Sequence, residues 1–343
     1  MSEKKRTEIQ ELGEFGLIDH LTKDFTVENK STLRGVGDDA AVVAAGRDTA
    51  LVVTTDSLLE GIDFDLTYFP LKHLGYKAVT VGVSDVLAMN ALPEQIMISL
   101  GVSAKLPVEA LKDLYEGIEF ACKELGVDMV GGDTTASMTG LVISITTIGR
   151  AKRKSIAYRS GAQFNDLICI TGNLGAAYMG LHLLEREKRV LRDVQNPEPQ
   201  FAGYEYLLQS YLKPRARKDI VEALAAEGIV PTSMIDISDG LASEVLQICK
   251  ASKCGARIYL DRIPIAKQTT ALAEEMHTDP VVAALNGGND YELMFTVPLA
   301  MQEQVMSMGL VDIVGHITRE STGAYLVTPD GSDIKLRAQG FKE

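Results

Sequence analysis

No run of about 18 consecutive apolar residues occurs in this 343-residue chain, so a membrane-spanning helix is not expected. The opening Met1-Ser2-Glu3-Lys4-Lys5-Arg6 is charged and leads into no apolar signal core, so a cytoplasmic protein is expected rather than an exported one. Cysteine is scarce. Cys122, Cys169, Cys249 and Cys254 form no CxxC pair, and the first three sit in apolar surroundings. That pattern excludes a disulfide framework and a zinc ribbon, and it predicts reduced thiols in the core. The five histidines are scattered, none with a Cys or His partner at motif spacing, and are expected at the surface or core edge. Basic charge is also short, with 34 Lys and Arg against 47 Asp and Glu, a net charge of −13. A nucleic-acid groove needs clustered cations and is not expected. Phosphorylated small molecules stay admissible, provided metal ions bridge the carboxylates and the phosphates. No GxxxxGK[ST] loop is present. Gly35-Val36-Gly37-Asp38-Asp39-Ala40 formally fits a dinucleotide fingerprint, but its two aspartates would repel a pyrophosphate and a strand is expected to follow.

With 46% hydrophobic and 24% charged residues, the composition is that of a globular protein, long enough for two domains. Apolar strands alternate with helices, which predicts a mixed α/β architecture. A boundary is expected between an N-terminal domain, 1–155, and a C-terminal domain, 156–343, near Lys152-Arg153-Lys154. A helix is predicted from Pro70 to about Met89; its small residues Gly75, Ala78, Gly82, Ser84 and Ala88 suit a crowded interior or a subunit interface. Strands are predicted at Leu51–Thr54, Ile96–Ser103 and Leu141–Ile148, and a helix at Pro107–Leu125. A short strand, Val127–Val130, is expected to end at Gly131-Gly132. The second half predicts a strand ending at Gly172, helices near 175–187, 202–212, 215–227 and 241–253, and a strand at Leu293–Val297.

Carboxylates collect at apolar strands and turns: Asp38 or Asp39, Asp56, Asp85, Asp133, Asp236 and Asp239. All are expected at strand ends or in a tight helix. Asp85 has Val81 and Met89 at i−4 and i+4, and a carboxylate on an apolar helix is costly to bury unless paired or metal-bound. So many acids in one cleft require counter-cations. Mg²⁺ takes one or two carboxylates and completes its shell with water and substrate phosphates, so several Mg²⁺ ions bridging a nucleotide triphosphate are the simplest inference. Arg150, after Gly149, is placed to offset phosphate charge. Together these features predict phosphoryl or nucleotidyl chemistry by positioning and charge neutralisation.

The ordered set GVGDDA, TTDS, SDV, GGDTT, IDISDG and GG-x-DYEL, spread along most of the chain, resembles the thiamine-monophosphate kinase family, within the aminoimidazole ribonucleotide synthetase-like superfamily. The resemblance implies a two-domain α/β fold, with the N-terminal domain forming a homodimer interface. It implies direct transfer of the γ-phosphoryl of ATP to thiamine monophosphate, the last step towards thiamine diphosphate. It assigns Mg²⁺ to Asp39, Thr54, Thr55, Asp56, Asp85, Asp133 and Asp236, with Asp239 joining them, and ATP to Tyr115, Gly132, Asp133, Arg150 and Ser238. Asp133, Arg150 and Asp239 are the expected catalytic residues. The acceptor is expected against Asp63, Asn289 and Phe341. Two of these depart from the family pattern: Gly61-Ile62-Asp63-Phe64 replaces a Gly-x-His-Phe motif, and Asn289 replaces the Glu of GGEDYE. Opposite charge favours Asp63 facing a cationic thiazolium. Other readings stay open: an aminoimidazole ribonucleotide or selenophosphate synthetase, a metal-dependent phosphohydrolase, or an acidic protein that only binds divalent cations. A selenophosphate synthetase typically carries a reactive Cys near its N-terminus, and no Cys precedes Cys122.

Overall fold

The computed structural model describes residues 8–192 and 198–338. The first half opens with α1 (Gly13–Thr22) and builds a six-stranded sheet from β1 (Thr32–Arg34), β2 (Ala41–Ala44), β3 (Thr49–Leu59), β4 (Leu92–Val102), β5 (Asp128–Ala136) and β6 (Val142–Lys152). The strand order is β1-β2-β3-β6-β4-β5. Neighbours are antiparallel except β4 and β5, which run parallel and so need a crossover. That crossover is α3 (Val108–Leu125), closed by Gly126 at φ 69°. It lies beside α2 (Leu71–Ala88) on one face of the sheet. Alternation along β3 sends Ala50, Val52, Thr54 and Leu58 towards the helices and leaves Thr55, Ser57 and Leu59 on the other, open face.

The second half is a seven-stranded sheet in the order β13-β12-β9-β11-β7-β10-β8. Its strands are β7 (Leu167–Thr171), β8 (Ser233–Ile237), β9 (Cys254–Tyr259), β10 (Glu292–Val297), β11 (Val311–Arg319), β12 (Ala324–Val327) and β13 (Asp333–Lys335). Its helices are α4 (Ala176–Leu191), α5 (Glu205–Leu212), α6 (Lys218–Ala226), α7 (Leu241–Ser252), α8 (Lys267–Glu275), α9 (Pro280–Asn286) and α10 (Gln302–Ser307). One hydrophobic core joins the halves, running from Leu87, Ile98 and Leu114 to Tyr211, Leu224 and Phe295.

The helix α2 joins the two sheets. It is buried on nearly every side because its residues are small where neighbours come closest. A Cβ at Gly75 would lie 2.0 Å from the Leu114 carbonyl oxygen, and one at Gly117 1.9 Å from that of Lys72. The small residues therefore serve packing within one chain, which corrects their alternative reading as a subunit contact. A second correction concerns β5. Gly131 and Gly132 do not end the strand; it runs on through Asp133, Thr134 and Thr135 to Ala136. Gly132 is needed for pairing instead, since a Cβ there would sit 1.9 Å from the Ile98 carbonyl oxygen. Nor is Asp56 at a strand end, for three more residues of β3 follow it.

Candidate metal and phosphate site

Four carboxylates converge where α2 meets both sheets. The turn between β1 and β2 supplies two aspartates with different duties. Asp38 accepts from the Arg34 Nε (3.0 Å) and the Arg159 backbone N–H (2.8 Å), so it holds the turn. Asp39 points inward, and its Oδ1 takes the Arg159 Nη2 at 2.6 Å. The pair that sequence left open is thus divided between structure and site. From β3, Thr54 and Asp56 reach the covered face, two residues apart. The Thr54 hydroxyl donates to Asp85 Oδ2 on α2 at 2.5 Å. The adjacent Ser84 hydroxyl donates to Asp236 Oδ2, near the end of β8, at 2.6 Å. Asp39, Asp85 and Asp236 each offer a carboxylate oxygen within 4.8 Å of the others.

The electrostatics are those of crowded, buried acids. Burial first, and the charge of Asp39 second, push Asp56 up to about 6 and Asp236 up to about 7. Burial and then the charges of Asp56, Asp236 and Asp39 push Asp85 well above the carboxylate range. Arg159 faces these acids, yet burial still outweighs it at Asp39. Two buried oxygens of the cluster, Asp39 Oδ2 and Asp56 Oδ2, have no hydrogen-bond partner among the described residues. An orphaned buried carboxylate oxygen costs on the order of 1–3 kcal/mol or more in a site that excludes both donors and cations. Hard oxygen donors at this spacing fit Mg²⁺.

A pH prediction follows from the raised values. Between about pH 4 and pH 7 the folded state binds more protons at Asp56 and Asp236 than the unfolded chain does. Their contribution to stability is complete below that window and is lost as pH rises through it. In EDTA, Tm is expected to fall from about pH 5 to pH 8, and millimolar Mg²⁺ is expected to flatten the slope. A Tm that climbs across that range in EDTA, unchanged by Mg²⁺, would remove the metal reading.

Next to the acids lies a second group of residues. Ser238 and Asp239 follow β8, and Glu244 in the first turn of α7 accepts the Asp239 backbone N–H at 3.0 Å. Burial and then the charges of Asp239 and Asp236 push Glu244 well up. Glu244 was missed in the sequence, although an acid five residues after Asp239 in a mostly apolar helix start was the available signal. The turn before β10 docks on the end of β8: the Asn289 N–H donates to the Ser238 carbonyl (2.7 Å) and the Tyr291 N–H to that of Ile237 (2.9 Å). Asn289 (φ 62°) and Tyr291 (φ 51°) both adopt the left-handed backbone that non-glycine residues avoid.

Lys77 of α2 was also missed. It is 1% exposed, donates to Asn289 Oδ1 at 2.9 Å and lies 4.1 Å from the centre of the Tyr211 ring. Burial lowers it to about 7, with the Asp63 charge opposing. The Asp63 carboxylate accepts its own turn's Leu59 N–H at 2.7 Å, while its carbonyl accepts the Tyr211 hydroxyl at 3.2 Å. Lys77 thus brings Asp63 and Asn289 into one neighbourhood. Phe341 lies outside the described residues.

The other expected residues do not join this pocket. In the sheet register Asp133 pairs with Ser99, Ser99 with Ser144, and Ser144 with Ser57, so Asp133 shares the open face with them. Thr55 is on that face too, bonded to Thr146 at 3.2 Å. Arg150 is on it and pairs with Glu94 at 3.0 Å. Tyr115 lies on α3 beside Asp128 and Met129, at the start of β5. Reading β5 as ending at its glycines implied that Asp133 turned inward; its continuation puts Asp133 on the face opposite Asp56. A cavity of about 690 Å³ opens elsewhere, along α5 and the start of β10, and none of the clustered acids lines it.

Two family models match the chain: AIR synthase related protein, N-terminal domain, over residues 37–151, and AIR synthase related protein, C-terminal domain, over residues 165–326. The thiamine-monophosphate kinase of Aquifex aeolicus (strain VF5) is 34% identical over 335 residues, covering 97% of this chain and 99% of its own. That of Bacillus subtilis (strain 168) is 29% identical over 335 residues, covering 96% and 99%. Among solved structures, AaThiL complexed with AMPPCP and TMP superposes with a TM-score of 0.82 at 31% identity, covering 98% of each chain. Hydrogenase maturation protein HypE, at 19% identity and a TM-score of 0.67, shares the fold. The motif order, the paired α/β domains and near-complete alignment at this identity agree, and the chain belongs to the thiamine-monophosphate kinase family.

Proposed function

We propose that this chain transfers the γ-phosphoryl of ATP to thiamine monophosphate, giving thiamine diphosphate, with several Mg²⁺ ions held by the acid pocket. The observation that carries the metal is the pair of orphaned oxygens on Asp39 and Asp56 beside the Asp39–Asp85–Asp236 cluster. Asp39, Asp56, Asp85 and Asp236 would be the ligands. The Thr54 and Ser84 hydroxyls set the orientation of Asp85 and Asp236, as outer hydrogen bonds do around a metal. Bound Mg²⁺ would supply neutralisation of the phosphate charge. The acceptor is already a phosphate oxygen, so no protein nucleophile and no strong general base is needed. Ser238 and Asp239 border the acids, and Lys77, Asp63 and Asn289 lie beyond them. Phosphate chemistry thus meets the acceptor's organic part across Tyr291, whose hydroxyl is pushed far up by burial and then by the charges of Asp236, Asp56 and Asp63. The four cysteines are free, with Cys122, Cys169 and Cys249 buried, as suits a reducing cytoplasm. Among the described residues no helix is long and apolar enough to cross a membrane.

A homodimer belongs to the same proposal. Every residue of β5 is exposed in the single chain, and its outer edge is unpaired among the described residues. Met97, Met129, Val130 and Met138 are exposed on or near the same strand. An exposed edge strand of nine residues is a pairing template unless another chain covers it. A dimer closed over this surface would carry Gly132, Asp133 and Arg150 to the partner, so that each site takes its metal pocket from one chain and these groups from the other.

The direct test is ³¹P NMR of ATP, MgCl₂ and thiamine monophosphate with the purified chain. The expected result is loss of the ATP γ signal with equal growth of ADP and thiamine diphosphate signals, abolished by EDTA. Growth of inorganic phosphate alone, indifferent to thiamine monophosphate, would replace this function with phosphohydrolysis.

A further inference from the structure

Residues 156–166 carry the chain from the first sheet to the second, and Arg159 in this strap is fastened through its backbone. Its N–H donates to Asp38 Oδ1 at 2.8 Å, in the turn between β1 and β2. Its carbonyl accepts the Ser252 hydroxyl, at the end of α7, at 3.0 Å. The same hydroxyl oxygen accepts the Gly161 and Ala162 N–H groups at 3.0 and 3.1 Å. One residue earlier, the Tyr158 carbonyl accepts the N–H of Met234 in β8 at 3.0 Å, two residues before Asp236. The strap is thus tied to both sheets, and its backbone limits where the Arg159 guanidinium can go.

The side chain ends at the acid pocket. Nε and Nη2 both donate to Asp39 Oδ1, at 3.1 and 2.6 Å, so that oxygen is taken while Oδ2 is left over. Asp236, Asp239 and Glu244 face the same positive charge. Nη1 has no bonded acceptor among the described residues, and the side chain is 22% exposed, so one edge of the guanidinium is open to a ligand.

A fixed cation beside Asp39, Asp56, Asp85 and Asp236 acts in two opposite ways. Towards a divalent ion it is a like charge at close range, and it competes for the lone pairs of Asp39. Towards a phosphate it is an attraction, with N–H donors suited to phosphate oxygens. We propose that Arg159 makes the acid pocket take divalent ions together with phosphate and not alone: it repels a bare ion and stabilises one that arrives with an anionic ligand. This rests on the metal reading given above and adds a control on loading to it. Arg159 is a positioning residue for Asp39, whose Oδ2 it leaves as the ligand atom, and a countercharge for the other acids. The coupling is reciprocal: the factor by which phosphate tightens the metal is the factor by which metal tightens the phosphate.

The test is a Mn²⁺ titration of the purified chain, free ion read by EPR, with and without AMPPCP, against AMPPCP alone as the blank. Arg159→Gln removes the charge and keeps a donor for Asp39. Without nucleotide it is expected to bind Mn²⁺ about tenfold more tightly than wild type, and AMPPCP should then tighten the binding about tenfold less. Arg159→Lys keeps the charge and should stay within about threefold of wild type in both titrations. A residue that merely braces the fold gives the other sign, because a loosened Asp39 binds Mn²⁺ less well. Unchanged or weaker nucleotide-free binding in a folded Arg159→Gln overturns the proposal. If that variant does not fold, Ser252→Ala decides by the same sign: it slackens the strap with every charge in place, and nucleotide-free binding should tighten about threefold. Wild-type protein that takes up no Mn²⁺ even with AMPPCP overturns the metal reading itself, and this inference with it.

Discussion

Asp85→Asn should fold at least as well as the unmodified chain in EDTA and lower kcat about 10²- to 10³-fold. The two halves of this expectation have one cause. Asp85 is held between Asp39, Asp56 and Asp236, and burial together with those charges pushes its carboxyl far up. Without metal it is a group the fold would rather have neutral. The amide is isosteric, and its oxygen still accepts from the Thr54 hydroxyl that now donates at 2.5 Å. Little packing is lost and a repulsion is relieved, so Tm in EDTA should rise; a gain of about 1 kcal/mol corresponds to about 1–2 °C in a chain of this size. With Mg²⁺ the order reverses, because a ligand that binds only the native state stabilises it in proportion to its affinity. The unmodified chain should gain markedly in Tm on adding MgCl₂, and Asp85→Asn should gain little. Paired melting curves with and without MgCl₂, read beside kcat, check both halves. A purely structural acid would give the opposite first result, a loss of stability in EDTA; unchanged kcat at low Mg²⁺ would refute the ligand assignment.

The legible part of this protein is the part in which local chemistry contradicts local structure. Asp56 in an apolar β3, Asp85 between Val81 and Met89, and Asp236 in a fully buried β8 are each too costly to bury for structural reasons alone. Their expense announced a common pocket before any coordinates. The long helices α2, α3, α4 and α7 were legible from periodicity. What stayed hidden was set by contacts remote in sequence. Lys77, in Leu74-Gly75-Tyr76-Lys77-Ala78, looks like any solvent-facing lysine; only Phe69 and Tyr211 of α5, folding over it, make it a buried cation. Likewise Gly131-Gly132 has the composition of a turn. It is strand because the parallel pairing of β5 with β4 demands a close approach at Ile98. That one misreading inverted the direction of Asp133, since a side chain in a strand alternates faces and one in a turn does not.

Mixing two inactive variants should restore about a quarter of wild-type activity, if each site draws on two chains. Asp133→Asn and Asp236→Asn are the pair. Asp236 lies in the buried acid pocket, and Asp133 lies on the open face of the same chain's first sheet. The acid pocket lies against the covered face of that first sheet, and a side chain on the open face does not reach an ion on the covered one. Yet the family resemblance implies metal and nucleotide contacts for the motif containing Asp133, and β5 is exposed along its whole length. The implied role and the exposure are both accounted for when β5 of one protomer serves the pocket of its partner. In a mixed dimer, the protomer with intact Asp236 then meets the partner's intact Asp133, giving one working site; the other site lacks both. Random pairing makes half the dimers mixed, each with half the sites, hence the quarter. Each variant alone should be inactive, with kcat down about 10²-fold or more. Co-expression with two different tags, purification of the doubly tagged dimer and assay with ATP, MgCl₂ and thiamine monophosphate give the answer: half of wild-type activity in that fraction. Complementation near zero, with both variants folded and dimeric, would return Asp133 to its own chain and require β5 to turn inward when substrate binds. Full activity of Asp133→Asn alone would instead make the open face an assembly surface with no share in the chemistry.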